Sequence, residues 1–225
     1  MYKQPDRVGH RSARGGRAVS HLKANIAGWG DSPLAEFAGH NPWALTANAA
    51  AIVEGLIANL SQDYRRSEQG AIHRTAKIED RALLKGPVVI GANCFVASGS
   101  LVRGGCWLDE DCVIGPGSEL KSSFVFRGAC LAHFNFVGDS ILGARVNLEA
   151  GAIIANYRNE SPDTEIVFVH EGVVTETKTL KFGALVGDDV RIGANAVIAP
   201  GAIIAPMTSI ARLAHVDQRP GNWTP

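Results

Sequence analysis

"IGANCFVASGSLVRGGCWLDEDCVIG", residues 90–115, puts an aliphatic residue at every sixth position: Ile90, Val96, Val102, Leu108 and Ile114. The count extends back through Leu84, Ile78 and Ile72 and forward through Leu120 and Phe126. A helix repeats its apolar face every 3.6 residues and a half-buried strand every two, so a period of six belongs to neither. It belongs to a solenoid in which each step is a short strand and a corner, and three steps close a triangular coil of about eighteen residues. The large residue fills the prism, and the smaller one four places on, as at Cys94, Ser100 and Cys106, packs beneath the corner. Gly91, Gly115, Gly143, Gly187 and Gly193 each follow a large residue, where the backbone must turn. The expected fold is mainly β, a parallel β-helix of hexapeptide repeats over residues 72–216.

The count slips in "LAHFNFVGDS", residues 131–140, and resumes at Val137, Leu142, Leu148 and Ile154. A third run, Val186 to Val216 through Ile192, Ile198, Ile204 and Ile210, completes the pattern. His133 lies at the break, and a slipped register offers a polar side chain a way out of the repeat. All four cysteines fall on the small interior position, with Cys94, Cys112 and Cys130 expected to stack one coil above another. Same-face thiols without a histidine partner read as buried, reduced side chains in a cytoplasmic setting, with no metal expected.

Composition narrows the partners. Twenty-two Lys and Arg balance twenty-two Asp and Glu, so no global field draws the chain to nucleic acid or an anionic membrane. No apolar run reaches the roughly 18 residues of a membrane span, and residues 1–30 lack a secretory h-region.

Outside the prism, residues 1–31 are basic and read as a mobile or loosely draped segment. Residues 32–62 read as a helical cap. In "NPWALTANAAAIVEGLIANL", Asn41 and Pro42 open a helix whose stripe is Leu45, Ala49, Ile52, Val53, Leu56, Ile57 and Leu60. This helix is expected to cap the open end of the first coil, and "SPLAEFAG" to add a short turn. Residues 157–183 break the count and read as a long inserted loop, with a hairpin around His170-Glu171-Gly172. Residues 217–225 form a C-terminal tail.

A prism filled by its own side chains must bind ligands outside. Arg103 and Lys121, eighteen apart, share one outward position on successive coils, either as solvated corner residues or as a phosphate clamp near His133.

"LAHFNFVGDSILGARVNLEAGAIIANYRN" resembles the acetyltransferase domain of two families of bifunctional enzymes. These are the bacterial glucosamine-1-phosphate acetyltransferase/uridyltransferases and the archaeal sugar-1-phosphate nucleotidylyltransferase/acetyltransferases. The resemblance spans roughly residues 72–216 and implies a left-handed β-helix, a homotrimer and acetyl-CoA as co-substrate. No match to the glycine-rich signature of the nucleotidyltransferase domain is present, "SARGGRAVS" included.

Residue by residue, the resemblance makes His133 the general base. It makes Arg103, Lys121, Phe136, Asn147, Asn156 and Lys181 substrate contacts, with Lys178 competing for the place of Lys181. The coenzyme contacts are Ala194, where a serine is common, and position 212, where an alanine is expected and the chain carries Arg212. Two further departures are Phe136 for a tyrosine, which loses a hydroxyl, and Glu149 for a glycine, which adds a carboxylate. The implied activity is N-acetylation of an amino-sugar phosphate. An imidazole takes the ammonium proton, a groove aligns the reactants, and a backbone N–H stabilises the oxyanion. Two other readings stand beside it. One is an O-acyltransferase on a nucleotide sugar, fed by acyl-carrier protein. The other is a non-catalytic sugar-phosphate-binding module.

Overall fold

The computed structural model describes residues 21–161 and 163–221. The period-six run folds into a parallel β-helix whose three sheets, of eight, seven and seven strands, form the faces of a prism. One face runs from the strand Tyr64–Ser67, paired antiparallel to Gly70–His73, down to Ala202–Ile204. We call it the covered face. The second, the polar face, runs from Lys77–Ile78 to Ser209–Ile210; the third, the bare face, runs from Leu83–Lys85 to His215–Val216. Aliphatic residues stack inside at every level, as Leu84, Val102, Leu120, Val137, Ile154 and Ile198 do on the bare face.

Register corrects the expected position of the slip. Ile90 pairs with Leu108, eighteen residues on, but Leu108 pairs with Val125 and Val125 with Leu142, each seventeen on. The short steps lie between Leu120 and Val125 and between Val137 and Leu142, stacked at the corner joining the bare and covered faces. His133 sits in a regular step. Phe126 is not interior; it faces outward, its ring 5.4 Å from Trp29 and 5.3 Å from Trp107. Two buried serines complete the shortened corners. The Ser123 hydroxyl donates to the Lys121 carbonyl (2.7 Å) and accepts the Ser140 N–H (3.0 Å). Ser140 repeats this with the Gly138 carbonyl (2.7 Å) and the Ala184 N–H (3.1 Å). Each hydroxyl thus extends the backbone ladder where one residue is missing.

The same shift corrects the cysteines. Ala129 takes the interior place, and Cys130 turns outward on the polar face opposite Asn147 and Val113. Cys94, Cys106 and Cys112 are buried as expected, and burial pushes the Cys106 thiol up to about 12.

The N-terminal elements lie along the side of the prism rather than over its end. Pro at the first turn starts a helix Pro42–Ala47, which breaks at Asn48 and continues as Ala49–Ala58. The second helix packs on the upper strands of the covered face through Ala49 and Val53. Residues 21–31 are not draped. They form a helix His21–Asn25 and a 3₁₀ turn Ala27–Asp31, and bury Leu22, Ile26 and Trp29 completely. The 3₁₀ turn Ala35–Gly39 answers the expected turn at 32–39. The remainder of the expected mobile segment, residues 1–20, and the last residues of the tail, 222–225, lie outside the described residues.

The insertion contains the expected hairpin, Val167–His170 with Val173–Glu176. Leu142 and Val186 pair directly across it, so the prism closes as if the segment were absent. The insertion lies against the covered face of its own chain, where Ile166, Phe168 and Phe182 are buried and Trp43 meets both phenylalanines at 5.8 Å. Its root is held by Arg158, fully buried, which binds Asp217 (2.9 Å) and the Pro200 carbonyl (2.7 Å). Burial pushes the Asp217 carboxyl upward, but hydrogen bonds from Arg158 and Arg219 outweigh it and hold the group at about 2.

Candidate functional site

The residues singled out in the sequence gather in two clusters, on opposite borders of the bare face. Between them a single strand, Phe136–Gly138, crosses that face.

At the border with the covered face, Lys121 and Arg103 occupy one outward column, as their spacing requires. Each has a carboxylate partner. Arg103 binds Glu119 (2.6 Å), and the Lys121 ammonium lies 2.7 and 2.9 Å from the Asp139 carboxylate. Asp139 is buried, occupies the left-handed turn of the second short corner (φ 46°), and accepts a further hydrogen bond from the Asn156 amide. Lys121, Asp139 and Asn156 are therefore one unit. Lys121 and Asp139 border a groove of about 600 Å³ that the insertion and helices Pro42–Ala47 and Ala49–Ala58 complete, with Lys178 and Lys181 on its far side. Lys178 is paired with Glu176 (2.6 Å), whereas Lys181 has no carboxylate partner among the described residues. Lys181 is thus the cation in this groove best able to meet an incoming anion. Sequence reasoning passed over Asp139, although it follows Lys121 by the same eighteen residues that separate Lys121 from Arg103.

At the border with the polar face, His133 is exposed and held by its backbone. Its N–H donates to the Asn135 side chain (3.1 Å), and its carbonyl accepts the Gly151 N–H (2.9 Å). Asn135 is buried and donates in turn to the Glu149 and Ala152 carbonyls (2.8 and 3.1 Å), which fixes the corner that presents the imidazole. Phe134, next to it, was also passed over. It is 71% exposed and adopts φ 51° where the stacked coils place Gly117 and Gly151. A bulky residue in a glycine column was the signal. Phe136 lies on the outer side of the bare face between Glu119 and Ile153.

Below His133, Asn147 and Arg191 stand in register on the polar face and line a recess of about 210 Å³ with Glu149, Ser209 and Arg212. Ala194 stands at its corner. Position 212 corrects the expected alanine: the Arg212 guanidinium grips Glu149 with two hydrogen bonds of 2.9 Å. Glu149 also accepts the Ala194 backbone N–H (3.0 Å), and these contacts, Arg212 first, hold its carboxyl below the usual range. Among the described residues no group of His, Cys, Asp and Glu is arranged to hold a metal ion, and no helix is long and apolar enough to cross a membrane.

Residues 87–122 match the family model described as bacterial transferase hexapeptide (six repeats). The chain is similar to a bifunctional sugar-1-phosphate nucleotidylyltransferase/acetyltransferase of Sulfurisphaera tokodaii, 29% identical over 142 residues, covering 55% of this chain and 35% of that one. It is also similar to the bifunctional protein GlmU of Methanococcus vannielii, 31% identical over 125 residues (55% and 29% covered). GlmU of Leifsonia xyli is 37% identical over 110 residues (49% and 22% covered). The likeness falls in the C-terminal acetyltransferase domain of these proteins. The chain spans about a third or less of the length of the curated relatives it matches.

Proposed function

We propose that this hexapeptide-repeat chain is an acyltransferase that moves an acetyl group from acetyl-CoA to the amine of an amino-sugar phosphate, with His133 as general base. The observation that carries the reading is the separation of the two clusters by a face that nothing among the described residues covers. Lys121, Lys181 and Asn156 offer hydrogen-bond donors to a phosphorylated sugar at one border. The exposed imidazole and the Asn147–Ala194 recess lie at the other. Along that face Leu83, Ile153 and Val197 are 48, 36 and 37% exposed. A second copy laid against it brings the His133 border of one subunit to the lysine border of another. This supports a homotrimer with composite sites. Arg191, which has no carboxylate partner among the described residues, suits the phosphates of the coenzyme. The four free cysteines fit a cytoplasmic setting.

In the reaction the ammonium gives up one proton to solvent through His133, and the freed amine attacks the thioester carbonyl. His133 then takes the second proton from the attacking nitrogen, the carbon–sulfur bond breaks, and that second proton passes to the departing thiolate. The test is release of CoA with glucosamine-1-phosphate or galactosamine-1-phosphate. His133→Ala is expected to slow it by about 10²–10⁴-fold; equal rates in the two proteins remove His133 from the mechanism. The Glu149 carboxylate on the Ala194 N–H favours a second reading, a non-catalytic sugar-phosphate-binding module. Sugar-phosphate binding without CoA-dependent chemistry would establish it.

A further inference from the structure

Glu149 stands in a stacked corner column with Ala132 above it and Gly193 below. Its carboxylate caps the N–H of the residue after Gly193. Besides Asp109, which accepts the Arg127 N–H (3.2 Å) at the border of the covered and polar faces, the prism uses this device once more on the same border as Glu149, near its other end. There the Glu79 carboxylate accepts the Ser98 N–H at 2.9 Å, in the same relation to the next coil. The two corners differ one coil further on. Register places Pro116 below Ser98 and Arg212 below Ala194. At the first corner the carboxylate only satisfies an amide. At the second it is also clamped from outside by a bidentate guanidinium, and the whole assembly sits at the edge of the recess that Asn147 and Arg191 line.

We infer that Glu149 and Arg212 form a latch over the Ala194 amide, and that an acyl-CoA reaches this amide only when the pair opens. This rests on the recess being the coenzyme seat. With the latch closed, the amide donates to Glu149 and cannot donate to a thioester oxygen, and a fixed negative charge lies where oxyanion character would develop. The pair is exposed, Arg212 at 72% and Glu149 at 41% of their side chains, so it opens at small cost and weakens with salt. The phosphates of the coenzyme, drawn first to the unpaired Arg191, compete for Arg212 and release the carboxylate. The pair thereby selects for polyanionic acyl donors over small neutral thioesters.

The test measures CoA binding by calorimetry to the full chain and to Glu149→Gln, Arg212→Ala and Glu79→Gln, with hydrogen exchange at the Ala194 amide read on the same proteins. Glu149→Gln is expected to bind CoA about three- to tenfold more tightly than wild type, and Arg212→Ala no more tightly than wild type because it also loses the phosphate contact, while both lose protection at Ala194. Glu79→Gln, the same cap without the arginine, is expected to bind as wild type does. Equal affinity in all four proteins overturns the latch and leaves the coenzyme seat standing. Weaker binding in Glu149→Gln also overturns it, making the carboxylate a coenzyme contact. Absence of binding in every protein overturns the seat and the latch together.

Discussion

The covered and bare faces of the prism carry the same kind of outward residue and meet opposite fates. Val89, Trp107, Phe124, Ile141, Leu185 and Ile203 project from the covered face and are all buried, under Trp29 and the other N-terminal residues and under Phe168 and Phe182 of the insertion. Leu83, Ile153 and Val197 project from the bare face and stay in water. Among the described residues, the N-terminal segment and the insertion both lie on one face and neither on the other. An apolar sheet face left open beside the candidate site is the surface that the proposed trimer would cover.

Three perturbations break or sharpen this contrast. The largest is Trp29→Ala. It removes a fully buried ring from the cover and is expected to cost about 3–5 kcal/mol, read as a lower urea midpoint with rising dye binding. The second is acid. The Asp217 carboxyl, held at about 2 against an ordinary 3.8, anchors the insertion through Arg158. Because its folded pKa is depressed, its contribution is complete above the unfolded value and fades as pH falls from about 4 to about 2. The stability gap between wild type and Asp217→Asn should therefore shrink across that window and be constant from pH 5 to 7. The smallest effect on the single chain is Ile153→Arg on the bare face, expected within about 0.5 kcal/mol of wild type. The same change should abolish self-association in sedimentation. A dispersed Ile153→Arg that remained trimeric would move the interface elsewhere.

Most of the fold could be read from spacing alone, because a period of six leaves few architectures open. The misplaced slip has a local cause. In "SSFVF" both Val125 and Phe126 are apolar, and the sixth-place count chose the one that in fact faces Trp29. Serines at 123 and 140 were the true sign of shortened corners, but hydroxyl-for-backbone substitution leaves no periodic trace. Cys130 was misread with them, since a one-residue shift turns every side chain to the other side of the sheet. The candidate site was legible as a set of residue types and not as pairs. Lys121 was singled out while Asp139, eighteen residues on, was passed over; Glu149 was visible as a departure, but Arg212 and the ion pair joining the two, 63 residues apart in sequence, were not.

The direct pairing of Leu142 with Val186 has a mechanical consequence. In a solenoid each coil touches only its neighbours, so a chain pulled from one end unwinds one coil at a time. Ordinary coils then surrender contour in increments of about 6 nm. The coil that carries the insertion, once its anchor fails, yields about 15 nm in one event, at roughly 3.5 Å per residue. The insertion is a store of slack wound into an otherwise evenly geared spring.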